Sequence, residues 1–177
     1  KKTKNSKLYV GAQNCHYVSD YGAFTGLVNA KMIKDTGSKF VIIGHSESRK
    51  EGDTNKKINM KIQSALKSNL KIIFCIGESL YEKKNNKTKK ILSEQIVSGL
   101  SKVKKTQNLI LAYEPVWSIG TGIVPKNIDL ENNINFIKNK LNKFKNGKKI
   151  KILYGGSVNP NNIANLLKIS VINGFII

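Results

Sequence analysis

The stretch LILAYEPVWSIGTG, Leu109 to Gly122, begins as a buried strand and ends as something else. Leu109, Ile110 and Leu111 make an apolar run suited to a core. Glu114 then emerges, and Pro115, Trp117, Gly120 and Gly122 follow at once. A glutamate that only capped a helix would be followed by a helical pattern; proline and glycines follow instead. The segment reads as a strand end carrying a carboxylate, with a hinged flap directly after it. A carboxylate partly withdrawn from water there has its pKa raised and can act as a base. A lone glutamate is more often a surface residue paired to a lysine, so its context carries the argument.

That context is an alternation. Strand-like runs occur at Leu8 to Ala12, Lys39 to Ile43, Lys71 to Ile76, Leu109 to Tyr113, Ile150 to Tyr154 and Val171 to Ile177. They lack strict alternation of apolar and polar residues, as expected of strands covered on both faces. Between them lie helical patterns. Leu130, Ile134, Ile137, Leu141 and Phe144 form one apolar stripe, opened near Pro125 and stopped at Asn146-Gly147. Ile58, Ile62, Ala65 and Leu66 mark a second helix, Ile91, Gln95, Ile96, Leu100 and Val103 a third, and Ile163, Leu166 and Leu167 a short fourth. Strand alternating with helix implies parallel strands joined by crossover helices in a single domain spanning 1–177.

Polar or glycine residues follow each run at once: Gln13-Asn14, His45-Ser46-Glu47, Gly77-Glu78, Glu114 and Gly155-Gly156-Ser157. In parallel α/β folds these positions line the C-terminal face, where ligands bind. Helix capping explains Ser46 and Ser157 as well, but not Glu114. After Gly44, His45 would open the next segment. At a helix N-terminus the dipole disfavours an imidazolium, and a neutral ring can polarise a carbonyl. Tyr154-Gly155-Gly156-Ser157 is a strand and a glycine turn whose backbone amides suit an anion, with Gly120-Thr121-Gly122 facing it.

Composition narrows the classes. The net charge of +20 on 177 residues suggests nucleic acid, but Arg49 is the only arginine among 31 basic residues. The lysines are spread along the chain, so a solvated surface explains them and no nucleic-acid partner is expected. A basic field also attracts phosphorylated substrates. No run is long enough to span a membrane. The start, KKTKNSKLYVG, lacks a secretory apolar stretch. Cys15 and Cys75 read as reduced thiols of a cytoplasmic protein. Both ends look cut, so the chain is expected to be part of a longer protein.

Taken together, VGAQN at Val10 to Asn14, GAFTG at Gly22 to Gly26, GHSES at Gly44 to Ser48, CIGE at Cys75 to Glu78, AYEPVWSIGTG and YGGSV at Tyr154 to Val158 resemble the triosephosphate isomerase family over essentially the whole chain. The resemblance implies a TIM (β/α)8 barrel, incomplete here with about six of the eight strands. It implies an aldose–ketose isomerase of glycolysis and gluconeogenesis that interconverts dihydroxyacetone phosphate and glyceraldehyde 3-phosphate through an enediolate. Glu114 would be the base, His45 the neutral electrophile and Glu47 an accessory carboxylate. Pro115, Val116, Trp117, Ser118, Ile119, Gly120, Thr121 and Gly122 would form the lid, with Trp117 at its N-terminal hinge. Glu78, Tyr154 and Ser157 would meet that lid. Gly120 and Ser157 would offer amides to the phosphate. Thr25 would sit on a loop reaching a second subunit, making a homodimer. The resemblance implies no cofactor and no metal.

The family pattern also holds elements not seen here: two strand–helix units with a lysine after the first strand, and a glycine pair just beyond Ile177. Ser48 departs from the usual arginine of that motif, while Arg49 fits the next basic position. The 177 residues alone are therefore expected to be inactive. Two other readings stand beside this one. A nucleic-acid-binding remnant would need clustered lysines and salt-dependent affinity. Another phosphate-binding barrel isomerase or aldolase-like enzyme would leave the lid segment and His45 unexplained.

Overall fold

The computed structural model describes residues 7–104 and 106–177. The N-terminal KKTKNS, read above as free of a secretory stretch, lies outside them. Among the described residues the strands are β1 Gly11–Ala12, β2 Phe40–Ile43, β3 Lys71–Ile76, β4 Leu109–Tyr113, β5 Lys151–Tyr154 and β6 Gly174–Phe175. All neighbours pair in parallel, in the order β1-β2-β3-β4-β5-β6. The sheet is an open arc, with β1 and β6 at its free edges.

The interior strands match the sequence reading closely. The edge strands do not: Leu8 to Ala12 shrinks to two paired residues, and Val171 to Ile177 shrinks to Gly174–Phe175. An edge strand has one ladder instead of two, so less of an apolar run is held extended. Leu8, Tyr9 and Val10 are exposed instead of buried.

Helices cover the outer face. They are α1 Ala30–Asp35, α2 Ser46–Lys50, α3 Asn55–Lys67, α4 Leu80–Lys84, α5 Thr88–Gly99, α6 Asn127–Leu141 and α7 Ile163–Leu166. Local chemistry starts several of them. Asn29 caps α1 by accepting from the Met32 amide, and Thr54 caps α3 by accepting from Lys57. Ser79 and Glu82 form a reciprocal capping box on α4. Helix α6 starts at Asn127, two residues after Pro125, and ends at Leu141, before Phe144. The Gly147 anticipated as a stop opens a 3-10 turn, Gly147–Lys149, that leads into β5. The α1, α2 and α4 helices have too few residues to show a period in sequence.

The core lies between sheet and helices. Val41, Ile43, Ile72, Phe74 and Leu111 meet Ile58, Ile62, Leu92, Ile96, Leu130, Ile134 and Ile137. No helix among the described residues is long and apolar enough to cross a membrane. Ile134 is fully buried on α6, whereas Ile128 on the same helix is 61% exposed. Truncating Ile134 to alanine is expected to cost about 2–5 kcal/mol, and Ile128→Ala to stay within about 0.5 kcal/mol. Urea unfolding midpoints of the two variants measure the difference.

Candidate active site

Glu114 is the first residue past β4, and only 3% of it is exposed. Its amide donates to the Ile76 carbonyl at 2.8 Å, so the neighbouring strand fixes where the residue leaves the sheet. Two glycines make room. A β-carbon on Gly77 would overlap the Glu114 carbonyl, and one on Gly155 would press into the Glu114 side chain and Ile176. The carboxylate has few partners. The Cys75 thiol donates to Oε1 at 3.4 Å, and His45 Nε2 lies 3.7 Å from Oε2. Burial raises its pKa, and the neighbouring His45, Cys75 and Arg49 oppose that rise only partly.

His45 occupies the N-cap of α2, with Gly44 before it at φ +82°. Its Nδ1 accepts from the Glu47 amide at 3.4 Å. A ring that accepts at Nδ1 carries its proton on Nε2, and that proton faces Glu114. The cap is therefore His45 itself; Ser46, which capping would have explained in the sequence, is the first residue of the helix. Glu47 Oε2 lies 3.7 Å from His45 Nδ1, and its side chain is 83% exposed. Glu47 thus stands at the rim.

The lid segment folds as a 3-10 turn, Val116–Ser118, and a loop. Its first half is anchored to Glu78. Trp117 Nε1 donates to Glu78 Oε1 at 2.9 Å, Val116 N donates to the Glu78 carbonyl at 2.9 Å, and the Tyr113 hydroxyl donates to Oε2 at 3.2 Å. Glu78 is buried, and burial raises its pKa against the pull of those donors. The second half is latched by Ser157. Its hydroxyl donates to the Ser118 carbonyl at 2.6 Å and accepts from the Gly122 amide at 2.9 Å. The Tyr154 hydroxyl lies 3.2 Å from Ser118 Oγ, and Thr121 Oγ1 donates to the Ser118 carbonyl at 3.2 Å. Ser157 therefore caps no helix: α7 begins later, after Asn162. The Ser157 amide is turned toward Ser118 Oγ at 3.3 Å.

Lid, turn and acid meet over one cleft of about 790 Å³. Its lining includes Gln13, Asn14, His45, Glu47, Glu114, Ile119, Gly120, Gly122 and Ser157. Thr25 is not part of it; the loop from Gly22 to Gly26 is exposed elsewhere on the surface.

Three polar clamps tie strand ends and loops near the cleft, and sequence alone assigns this role to none of the three. Arg49 donates to the carbonyls of Gly44 at 2.7 Å and Cys75 at 3.2 Å, and to Asn55 Oδ1 at 2.8 Å. It ties the ends of β2 and β3 to the start of α3. Gln95 accepts from the Gly77 amide at 2.9 Å and donates to the Gly77 carbonyl at 3.0 Å, acting as a strand partner supplied by a helix. Lys61 is buried, pairs with Asp53 at 2.6 Å and donates to Asn14 Oδ1 at 3.0 Å. Nearby burial pushes the Cys15 thiol up to about 12. The signal for Gln95 was present as a polar residue inside an apolar stripe; Lys61 was one lysine among many.

The triosephosphate isomerase family profile matches residues 1–177. The chain is 43% identical over 176 residues to a triosephosphate isomerase of Thermodesulfovibrio yellowstonii, covering 98% of this chain and 71% of that protein. It is 43% identical over 173 residues to one of Bartonella tribocorum, covering 96% and 68%. The crystal structure of triosephosphate isomerase from Bartonella henselae superposes with a TM-score of 0.88 at 38% identity, over 96% of this chain and 70% of that one.

The raised pKa of Glu114 has a consequence for stability. Its protonated form is favoured in the folded state, so the stabilisation is fully present below the ordinary value of 4.5. It is lost as pH rises through the raised value, where a buried charge remains. Glu114→Gln is expected to melt higher than the parent at pH 7.5, by about 2–4 °C for each kcal/mol relieved. Near pH 4 the gain should vanish. Thermal melts at the two pH values check the sign.

Proposed function

The chain belongs to the triosephosphate isomerase family, and on that premise we propose that Glu114 moves a proton between adjacent carbons of a triose phosphate, opposite His45 as electrophile. The observation that carries this reading is the 3.7 Å approach of His45 Nε2 to Glu114 Oε2 inside the cleft. A proton alpha to a carbonyl is weakly acidic, so a base alone is insufficient. An N–H aimed at the carbonyl oxygen stabilises the charge that develops there. His45 supplies it from Nε2 because Nδ1 is occupied by the Glu47 amide. Burial raises the proton affinity of Glu114, which brings it closer to that of the carbon acid. The same carboxyl then returns the proton to the neighbouring carbon. Meanwhile one substrate oxygen gives up its hydroxyl proton and the other gains one, with His45 Nε2 donating to the second and recovering its proton from the first. The change is internal to the substrate, so no external electron acceptor enters the balance.

The intermediate is an enediolate next to a phosphate ester, and open water favours loss of that phosphate. The lid, Pro115 to Gly122, excludes water during the transfer. Gly120 and Ser157 present amides to the phosphate, for which Ser157 N exchanges its contact with Ser118 Oγ. The setting is cytoplasmic glycolysis and gluconeogenesis, with two free cysteines in keeping. The Thr25 loop, beside exposed Phe24, Leu27 and Val28, packs on a second copy to make the homodimer.

In the complete natural protein carrying these residues, Glu114→Gln is expected to lower kcat by at least about a hundredfold with KM changed far less. Retained turnover in a coupled assay with glyceraldehyde 3-phosphate would sink the reading. The 177 residues alone are proposed to be inactive. Among the described residues the cleft is lined by Glu47, Glu51 and Glu114 and by no lysine or arginine, a poor field for a phosphate dianion. The sheet is also open along β1 and β6. Turnover of the purified 177-residue chain should fall at least about a hundredfold below that of the complete protein, and parity between them would refute the proposal.

A further inference from the structure

The lid hinge has a third partner besides Glu78 and its own backbone. Lys83 Nζ lies 3.4 Å from the centre of the Trp117 ring. Its helix, α4, is held by the Ser79–Glu82 capping box immediately after Glu78. The indole is therefore gripped from two directions. The Glu78 carboxylate takes its N–H at the edge, at 2.9 Å, and the Lys83 ammonium covers its face. Both attractions are electrostatic and both act in a partly desolvated place, since Lys83 and Trp117 are half-buried and Glu78 is buried. The ammonium's charge also favours, as the smallest of several influences, the ionised form of the buried Glu78. The ring thus sits between a cation on its face and a carboxylate at its edge.

We propose that Lys83 is a positioning residue of the lid, clamping Trp117 so that the N-terminal hinge stays seated while the latch at Ser157 opens and closes. The two halves of the lid are then unlike by construction. The latch at Ser157 is a pair of hydrogen bonds through one hydroxyl, to Ser118 and Gly122. The hinge is held instead by a cation over the ring face and a carboxylate at its N–H. Loss of the cation frees the indole to leave its seat, and the lid then closes from a wider set of starting positions.

The kinetic part of this inference rests on the isomerase reading; the spectroscopic part does not. Trp117 is the single tryptophan of these 177 residues. In the complete natural protein, its emission is isolated by difference against Trp117→Phe. Lys83→Met keeps the apolar stem and removes the charge; Lys83→Gln serves if that variant fails to fold. Acrylamide quenching of Trp117 is expected to rise about two- to threefold and kcat/KM to fall about three- to tenfold, the size of one lost cation–π contact. The melting temperature should stay within about 2 °C. Lys83→Arg should restore both readouts, and Lys84→Met, one residue further on the same helix, should leave both alone. Unchanged quenching in a folded Lys83→Met overturns the clamp, as does a loss that arginine fails to rescue. A parent protein with no isomerase turnover removes the functional reading, and the quenching series still decides the clamp.

Discussion

The site depends on the absence of two β-carbons. Just past the ends of β3, β4 and β5, the Glu114 backbone lies against Gly77 and its side chain against Gly155. At that separation no side chain other than hydrogen fits at either glycine. The carboxyl is nearly buried at the wall of the cleft, against the Cys75 thiol and His45. Its proton affinity follows from that burial, because desolvation is the largest influence on it. The packing constraint comes first and the chemistry follows.

Peptide groups at the strand ends are also met by side chains. Gln95 completes the Gly77 peptide from α5, Arg49 fills the carbonyls of Gly44 and Cys75, and Lys61 with Asp53 steadies Asn14. Each group is polar, buried or nearly so, and matched to a partner, which is the condition for tolerating it there. One buried side-chain atom among the described residues has no such partner, Ser64 Oγ on α3, and nothing in the structure explains it.

The sequence made the interior of this fold legible. The apolar runs of β3 and β4 and the stripes of α3 and α6 are long enough for period and length to agree, and their positions came out nearly as read. Glu114 was legible for a different reason: proline and glycine after it contradict helix capping. Edge strands were overdrawn because apolar character says nothing about whether a second ladder exists. Ser157 misled in isolation, since a serine after a glycine turn looks the same whether it caps a helix or latches a loop. Gln95 reaches Gly77, Arg49 reaches Cys75 and Lys61 reaches Asn14, partners distant in sequence, and no local pattern records such a pairing.

Each strand in this sheet pairs only with the strands just before and after it in the chain. Every ladder is therefore closed over one strand–helix unit, and the entropic cost of bringing two strands together never grows with the number already laid down. Such a sheet extends by accretion. Each unit pairs on the edge of the one before it in the chain, with its helix folded back over the same face. The functional face inherits this order. Along the chain His45 precedes Glu78, Glu78 precedes Glu114, and the residue that anchors the lid's hinge comes one strand earlier than the lid itself.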